Sequence, residues 1–279
     1  MKTVSFGNQQ RQVTVVGLGG EGVLRTYGRE SEARAVIRQA VEQGVTYFDS
    51  ARVYSDSELY YGSVWQEDPG LRASIFQTSK SASRTRSGAL ADLENSLQRL
   101  QTSYLDLWQI HDVRSEDDLL AISRPGGALE AFVEAKKSGL VRNIGVTGHH
   151  DPQVLTKAVQ EWPVDAVLLP VNPVEELLGG FLTHTLPAAR KKGIAVIAMK
   201  ILGASHYILP RFGITAETLI RYALSFEVTV AIVGCASPAE VQTLAAAGAM
   251  PPLSGPERDE LLQIFKPYAA KLAFYRGVI

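Results

Sequence analysis

The chain has 279 residues, 46% of them hydrophobic and 20% charged, and its 28 Lys and Arg against 29 Asp and Glu give a net charge of −1. Near-neutral charge excludes the electrostatic signature of a protein that binds nucleic acid or an anionic membrane. One cysteine, Cys235, excludes an intrachain disulfide framework and an all-cysteine zinc site. No apolar run approaches the ~18 residues of a membrane span, and residues 1–12 contain no signal-like apolar region, so we expect a cytoplasmic enzyme.

Eight short runs of aliphatic and β-branched residues alternate with stretches of helical periodicity. The runs are residues 13–17, 45–49, 74–79, 104–110, 143–148, 165–170, 194–199 and 229–234. Most are almost continuously apolar, which is typical of parallel strands that are buried on both faces.

The helical stretches carry start and stop signals. Ser31 is expected as the N-cap of a first helix that ends before Gly44. Leucines repeat with helical spacing over residues 90–100, and further helices are predicted over residues 128–135 and 215–224. One more helix, from Glu257 to about Leu272, lies outside the repeat. Strands separated by helices at intervals of roughly 30 residues indicate βα units and a parallel sheet.

Eight such units predict an α/β fold, a closed (β/α)8 TIM barrel that occupies residues 1–279 as a single domain. Residues 1–12 are expected to form a short hairpin at the bottom of the barrel, and the chain is expected to end in a helix and tail. The alternative is an open doubly wound sheet, which carries G-x-G-x-x-G directly after its first strand. The glycine-rich segment Gly17–Gly22 follows the first run, but its spacing does not match that motif, and we interpret it as a turn.

Polar residues follow the second, third and fourth runs, where a TIM barrel places its active site. Asp49 ends the second run, Lys80 the third and His111 the fourth, and Tyr54 lies in the loop after Asp49. Each alone has an ordinary explanation: a turn residue, a solvated cation, a loop histidine or a rim aromatic. In a barrel, however, these four residues, which we call the tetrad, converge on one mouth.

The tetrad contains the groups needed to move a proton. A phenol has a pKa near ~10 and is a poor acid at neutral pH. A neighbouring lysine ammonium is expected to lower that pKa, and a carboxylate keeps the ammonium charged. A histidine can orient a carbonyl or relay a proton. The set suits the interconversion of a carbonyl and an alcohol, but it supplies no hydride, so a nicotinamide cofactor is expected.

Several segments resemble the signatures of the aldo-keto reductases. Residues 44–62 resemble the first signature, residues 93–111 the second, residues 75–80 carry the matching lysine, and residues 139–150 resemble a conserved "GKVR-x-IGVS" stretch of that family. The resemblance extends from the first strand to about residue 244. It implies a (β/α)8 barrel that binds NADP(H), less often NAD(H), and reduces aldehydes and ketones or oxidises alcohols. It also implies catalytic roles for the tetrad.

The same resemblance implies where the cofactor binds. The expected contacts are Gly19, Gly20, Asp49, Thr147, Met199, Lys200, Leu202, Gly203, Gly234, Ser237 and Glu240. Three positions depart from the common pattern. Thr147 replaces the serine of a Ser-Asn pair, Leu168 replaces a glutamine, and Met199 stands where an aromatic often stacks on the nicotinamide. His149 or His150 is a candidate to anchor the carboxamide instead.

The segment after the eighth run predicts a phosphate site. Ser237 with Glu240 three residues later forms a capping box, and Pro238 suits the first helical position. A free helix N-terminus at the barrel mouth binds phosphate readily. NADPH-preferring relatives carry basic residues here, whereas this chain has Gly234 and Glu240, so weak discrimination between the two coenzymes is expected. The single cysteine excludes the iron–sulfur cluster of some relatives, and no metal is expected.

Two other functions compete with this interpretation. A metal-dependent barrel hydrolase would use Asp49, His111, His149 and His150, but the sequence lacks the usual His-x-His after an early strand. A catalytically silent NAD(P)-binding subunit would keep the barrel, but the intact tetrad argues against it. The expected partner is a small carbonyl or alcohol; its identity, the direction of reaction and the oligomeric state are open. Candidates for the substrate pocket are His206 and the aromatic residues Tyr60, Tyr61, Trp65, Phe181, Phe212 and the tail 273–276.

Overall fold

The apolar runs form the strands of a closed parallel barrel in the computed structural model, which describes residues 1–8 and 11–276. A two-stranded antiparallel hairpin precedes the barrel, and each barrel strand pairs with the next until the last closes onto the first. The hairpin strands are β1 (Thr3–Ser5) and β2 (Gln12–Thr14), and the barrel strands are β3 (Val16–Gly22), β4 (Tyr47–Phe48), β5 (Phe76–Ser81), β6 (Leu107–Ile110), β7 (Ile144–Thr147), β8 (Ala166–Pro170), β9 (Ala195–Met199) and β10 (Val230–Cys235). The predicted TIM barrel is confirmed.

The predicted N-terminal hairpin is also confirmed. Phe6, between its two strands, packs with a ring-centroid distance of 4.5 Å on Phe76, which in turn stacks on Tyr47 at 5.3 Å. The hairpin therefore covers the end of the barrel at which β4 and β5 begin. The prediction that residues 13–17 form one strand is wrong, because Val13 and Thr14 pair with β1 and the barrel strand starts at Val16.

The glycine-rich segment is part of β3 rather than the predicted turn. A Cβ atom at Gly20 would lie 2.7 Å from the carbonyl oxygen of Asp49, and one at Gly22 would lie 2.4 Å from that of Cys235. Side chains at these positions would therefore collide with the backbone of the neighbouring strands. Glycine is needed here for close approach between strands, which explains why the turn interpretation was wrong.

Helices surround the barrel and cover its outer face. They are α1 (Glu30–Glu42), α2 (Ser57–Trp65), α3 (Pro69–Ser74), α4 (Arg86–Arg99), α5 (Glu116–Ser123), α6 (Ala128–Lys137), α7 (Pro152–Glu161), α8 (Pro173–Leu178), α9 (Leu186–Lys192), α10 (Ala216–Leu224), α11 (Pro238–Ala249), α12 (Gly255–Phe265) and α13 (Ala269–Leu272). Within residues 1–8 and 11–276, none of these helices has the length and apolar character needed to cross a membrane.

Two helix predictions need correction. Arg29, not Ser31, occupies the N-cap position of α1, and its side chain makes no capping bond. The C-terminal helix begins at Gly255 with a capping box from Ser254, and it does not run unbroken to residue 272. It ends at Phe265, where a short 3-10 turn that includes a proline separates it from α13. Proline removes a backbone donor and so interrupts the helix.

Apolar side chains fill two regions, one inside the barrel and one between the barrel and its helices. The interior set is Phe6, Val13, Tyr47, Phe76, Leu107, Ala166, Leu168, Ala195, Ile197 and Val230. The filled interior leaves the carboxyl ends of the strands as the place where polar side chains gather, as in other TIM barrels.

Candidate active site

The structure brings the four tetrad residues together at the carboxyl ends of adjacent strands. Asp49 directly follows β4, and its backbone N–H donates to the carbonyl of Leu18 in β3. Lys80 is within β5, and His111 directly follows β6. Tyr54 lies in the loop between β4 and α2. Neighbouring parallel strands therefore hold three of the four side chains, and a short loop holds the tyrosine.

Asp49 and Lys80 form a buried ion pair. The Lys80 Nζ atom lies 2.5 Å from Asp49 Oδ2 and donates to the carbonyl oxygen of Ser50 at 2.7 Å. The other carboxylate oxygen accepts from the Thr78 hydroxyl at 2.7 Å. The side chains are 0% and 2% exposed. Burial lowers the pKa of Lys80, and the Asp49 carboxylate opposes that shift.

Tyr54 lies between two cations and a histidine. The Lys80 Nζ atom is 4.9 Å from the centre of its ring, and the Arg25 guanidinium is 4.8 Å from it. The ring meets His111 edge to face, with centroids 5.6 Å apart. Burial raises the pKa of Tyr54 well above its usual 10.0, and the Asp49 carboxylate raises it further.

The expectation that the pKa of Tyr54 lies below its usual value is therefore wrong, because burial and the Asp49 carboxylate raise it. The charge of Lys80 is already paired with Asp49. That carboxylate raises the phenol pKa, whereas Arg25 acts in the opposite direction. The phenol consequently holds its proton firmly at neutral pH, as a proton donor must before it reacts.

His111 is uncharged near neutral pH. Burial lowers its pKa from 6.5 to about 3, and the neighbouring Lys80 ammonium contributes to the same shift. Its Nδ1 atom is buried and has no hydrogen-bond partner among the described residues. A neutral imidazole has one N–H donor and one acceptor nitrogen, so His111 can donate to a substrate oxygen without carrying charge.

A cleft of about 390 Å³ opens beside Asp49 and Tyr54. Nine of the eleven residues expected to contact the cofactor line this cleft: Gly19, Gly20, Asp49, Met199, Lys200, Leu202, Gly203, Gly234 and Glu240. Leu168 also lines it. Thr147 and Ser237 are not among the described lining residues; the Thr147 hydroxyl is buried and accepts the backbone N–H of Asp112 at 3.0 Å.

The N-terminus of α11 borders this cleft. The Ser237 hydroxyl accepts the N–H of Glu240 at 3.4 Å, which confirms Ser237 as the N-cap, and Pro238 is the first helical residue. The expected reciprocal bond differs, because the Glu240 carboxylate accepts from the N–H of Ala236 at 2.7 Å rather than from that of Ser237. An acidic side chain therefore stands at the helix terminus that faces the cleft.

Most of the aromatic residues proposed for the substrate pocket lie elsewhere. Four of them are core residues with at most 3% exposure: Tyr60, Tyr61, Trp65 and Phe181. Phe212 is 63% exposed and, like His206, is not among the described residues that line the cleft. Phe274 of the tail does line it, and His206 packs edge to face on that ring at 5.4 Å.

The tail is fixed by contacts that the sequence interpretation missed. The Tyr275 hydroxyl donates to Glu175 at 2.7 Å and accepts from the Asn172 amide at 2.9 Å. Arg276 forms an ion pair with the same Glu175, whose side chain is fully buried. These contacts hold Phe274 against the cleft. No local signal indicates them, because a glutamate in the first turn of a helix is usually a solvated residue.

A closed parallel barrel with a Tyr–Lys–Asp–His cluster at its mouth defines a TIM-barrel protein with ionisable side chains gathered at one end. The model of the aldo/keto reductase family matches residues 15–207, and the chain belongs to that family. The family membership predicted from residues 44–62 and 93–111 is confirmed.

Relatives of the chain include oxidoreductases. The probable aldo-keto reductase 1 of Glycine max is 26% identical over 225 residues, which cover 74% of this chain and 61% of that protein. Pyridoxal 4-dehydrogenase of Microbacterium luteolum is 24% identical over 257 residues, 75% of this chain and 73% of that protein. The chain spans 45–61% of the length of the soybean protein and of two Bacillus subtilis oxidoreductases that it also matches.

Solved structures share the fold over most of the chain. An aldo-keto reductase of Bacillus halodurans in its holo form has a TM-score of 0.77 at 21% identity and covers 95% of this chain and 96% of its own. An aldo/keto reductase of Klebsiella pneumoniae in complex with NADP and acetate has a TM-score of 0.75 at 24% identity and covers 95% of both chains. At these identities the likeness supports the barrel fold.

Proposed function

We propose that the chain is an NAD(P)H-dependent oxidoreductase that interconverts an aldehyde or ketone and the corresponding alcohol. The observation that carries the proposal is the meeting of Tyr54, the Asp49–Lys80 pair and neutral His111 beside a cleft. The oxidoreductase relatives and the NADP complex of the Klebsiella protein support it. The substrate class follows from the chemistry of a phenol donor next to a neutral imidazole, which suits a carbonyl oxygen.

The cleft has a lining that suits the nicotinamide end of a dinucleotide. Its volume of about 390 Å³ lies within the usual range for small-molecule sites. Leu168 and Met199 give it an apolar wall near Asp49, and the positive end of the α11 helix dipole borders it as a site for a phosphate. When bound there, the reduced nicotinamide supplies the hydride. Thr147 and Ser237, which were expected to contact the cofactor, would instead support the residues that line the cleft through their hydrogen bonds.

The tetrad residues divide the proton transfer among them. Tyr54 donates its proton to the carbonyl oxygen as negative charge develops there, because its high pKa keeps the proton in place until then. The Lys80 ammonium, 4.9 Å from the ring centre, stabilises the phenolate that remains. Asp49 holds Lys80 in position, and neutral His111 donates a hydrogen bond that orients the carbonyl.

Replacing Tyr54 with phenylalanine tests the proposal. Tyr54→Phe keeps the ring but removes the proton, so turnover of a reactive aldehyde is expected to fall by roughly 10²–10⁴-fold while coenzyme affinity stays nearly constant. Tyr27→Phe, at a residue that is 75% exposed, is the matched control and should behave as the parent. Aldehydes, ketones and sugars should be screened with NADPH and NADH.

Two outcomes contradict the proposal in different ways. A Tyr54→Phe variant with nearly unchanged kcat would remove Tyr54 from the reaction. Tight coenzyme binding without turnover of any carbonyl or alcohol would favour the alternative, a catalytically silent NAD(P)-binding subunit.

A further inference from the structure

A second cluster of ionisable side chains lies next to the tetrad but outside the cleft. Asp112, His149 and His150 follow β6 and β7, and their ligand atoms all lie within 4.8 Å of one another. Asp112 Oδ1 is 3.4 Å from His149 Nε2 and 3.5 Å from His150 Nε2. The three side chains are 18%, 20% and 22% exposed. We call them the Asp–His–His cluster.

The hydrogen bonds around the cluster leave two acceptors, His149 Nε2 and Asp112 Oδ1, facing one another. His149 Nδ1 lies 2.7 Å from the carbonyl oxygen of Tyr275. Because a carbonyl only accepts, Nδ1 carries the proton, and in the neutral ring the Nε2 lone pair points at Asp112. Asp112 Oδ1 and His150 Nε2 are buried and have no hydrogen-bond partner in the described part of the chain. A cation between these atoms would satisfy all three.

Two of the three ligand separations in the cluster match tetrahedral coordination. Zinc binds histidine nitrogen and carboxylate oxygen at about 2.0–2.2 Å, which places neighbouring ligand atoms of a tetrahedron roughly 3.3–3.6 Å apart. The separations of 3.4 Å and 3.5 Å fall within that interval. Two imidazoles and one carboxylate also form the ligand set that favours zinc over magnesium or calcium.

Other residues hold the ligands in place, as the outer partners of a metal site do. The Tyr275 carbonyl sets the orientation of the His149 ring. Arg114 binds the second oxygen of Asp112, with its Nε atom at 2.8 Å, and leaves Oδ1 for the cluster. Asp112 has a φ of +58°, a strained conformation that is held by Thr147 and by Arg84, whose guanidinium donates to the Asp112 carbonyl at 2.7 Å.

We propose that the Asp–His–His cluster binds one divalent transition-metal ion of the zinc class, with a fourth position open to water. The proposal departs from the expectation that the chain holds no metal, and it does not depend on the proposed oxidoreductase function. The ion would join the segments after β6 and β7 and, through His149, the tail that carries Phe274 to the cleft wall.

Calorimetric titration of the full-length, tag-free protein with ZnCl₂, after chelator treatment and dialysis, tests the site. We expect one equivalent to bind with a dissociation constant of about 1 μM or tighter, which corresponds to at least ~8.2 kcal/mol. His149→Ala and His150→Ala should abolish this binding. Arg114→Ala, at an exposed side chain, should weaken it by roughly 10–100-fold, since outer partners of metal ligands have effects of that size.

His206→Ala is the matched control, because His206 is exposed and contacts Phe274 rather than the cluster. It should bind zinc as the parent does. Circular dichroism and melting temperature establish that each variant is folded. If a histidine variant does not fold, Arg114→Ala still tests the site. The absence of one-equivalent binding in the parent, or equal binding by the parent and the folded cluster variants, would overturn the proposal.

Discussion

Replacing Asp49 with asparagine leaves the Lys80 ammonium buried among uncharged acceptors, the new amide oxygen and the Ser50 carbonyl at 2.7 Å. Replacing Lys80 with methionine leaves the Asp49 carboxylate buried with the Thr78 hydroxyl at 2.7 Å. Each single change therefore leaves one buried charge without its oppositely charged partner, at a site where both side chains are at most 2% exposed. The double variant removes both charges and keeps most of the side-chain volume, so it leaves no buried charge unpaired.

The expected magnitudes follow from that burial. Removing one partner of a buried ion pair costs about 3–5 kcal/mol in the free energy of unfolding. The double variant should lose less than the sum of the two single losses, by about 2–3 kcal/mol. The pair Arg86–Glu134, with side chains 43% and 50% exposed, is the matched control, and its coupling energy should stay below about 1 kcal/mol.

Urea unfolding of the four proteins in each cycle gives both coupling energies. In parallel, kcat/KM for a carbonyl substrate should fall by similar factors in Asp49→Asn, Lys80→Met and the double variant, because residues that act as a unit have non-additive effects. Single losses that simply add, within about 0.5 kcal/mol, would show that Asp49 and Lys80 do not act as one unit.

Three further outcomes are expected. The ratio of the dissociation constants of NADH and NADPH should stay below about 100, or ~2.7 kcal/mol, because the acidic Glu240 lines the proposed cofactor cleft and repels a 2′-phosphate; a ratio in the thousands contradicts this. Gly20→Ala should lower the free energy of unfolding in urea by about 1–3 kcal/mol, because the added Cβ would lie 2.7 Å from the Asp49 carbonyl oxygen. Gly255→Ala is the control and should be nearly neutral, because a Cβ at Gly255 would meet no heavy atom within 4 Å apart from its chain neighbours and its own helix backbone. Cys235 is 1% exposed, and burial raises its pKa to about 12, so its thiol should react with a disulfide reagent at pH 8 at least ~100-fold more slowly in the native protein than in urea. Equal rates would contradict the burial of Cys235.

The barrel was predictable because most of its strands are buried on both faces and form almost continuous apolar runs in the sequence. The tetrad was predictable for a related reason, since strand ends in a barrel converge whatever the sequence distance between them. Lys80 and His111 are separated by a whole helix, yet both lie beside Tyr54.

Features set by contacts between distant segments were not predictable. The glycines of β3 look like a turn locally, and only the neighbouring strands explain Gly20 and Gly22. The high pKa of Tyr54 depends on burial and on the carboxylate that also pairs with Lys80, and neither can be read from residue types alone. The tail contact between Tyr275 and Glu175 joins segments that have no sequence relationship.

The closure of the barrel sets an order on its assembly during synthesis. β3 pairs with β10, and Val16 faces Ala231 across that seam. At a synthesis rate of about 5–20 residues per second, β10 is synthesised roughly 10–40 s after β3. During that time its edge is open to pairing with other chains. The glycines of β3 allow close approach between the strands of the closed barrel. They also leave the unpaired edge of β3 with few of the side chains that favour pairing with a strand of another chain.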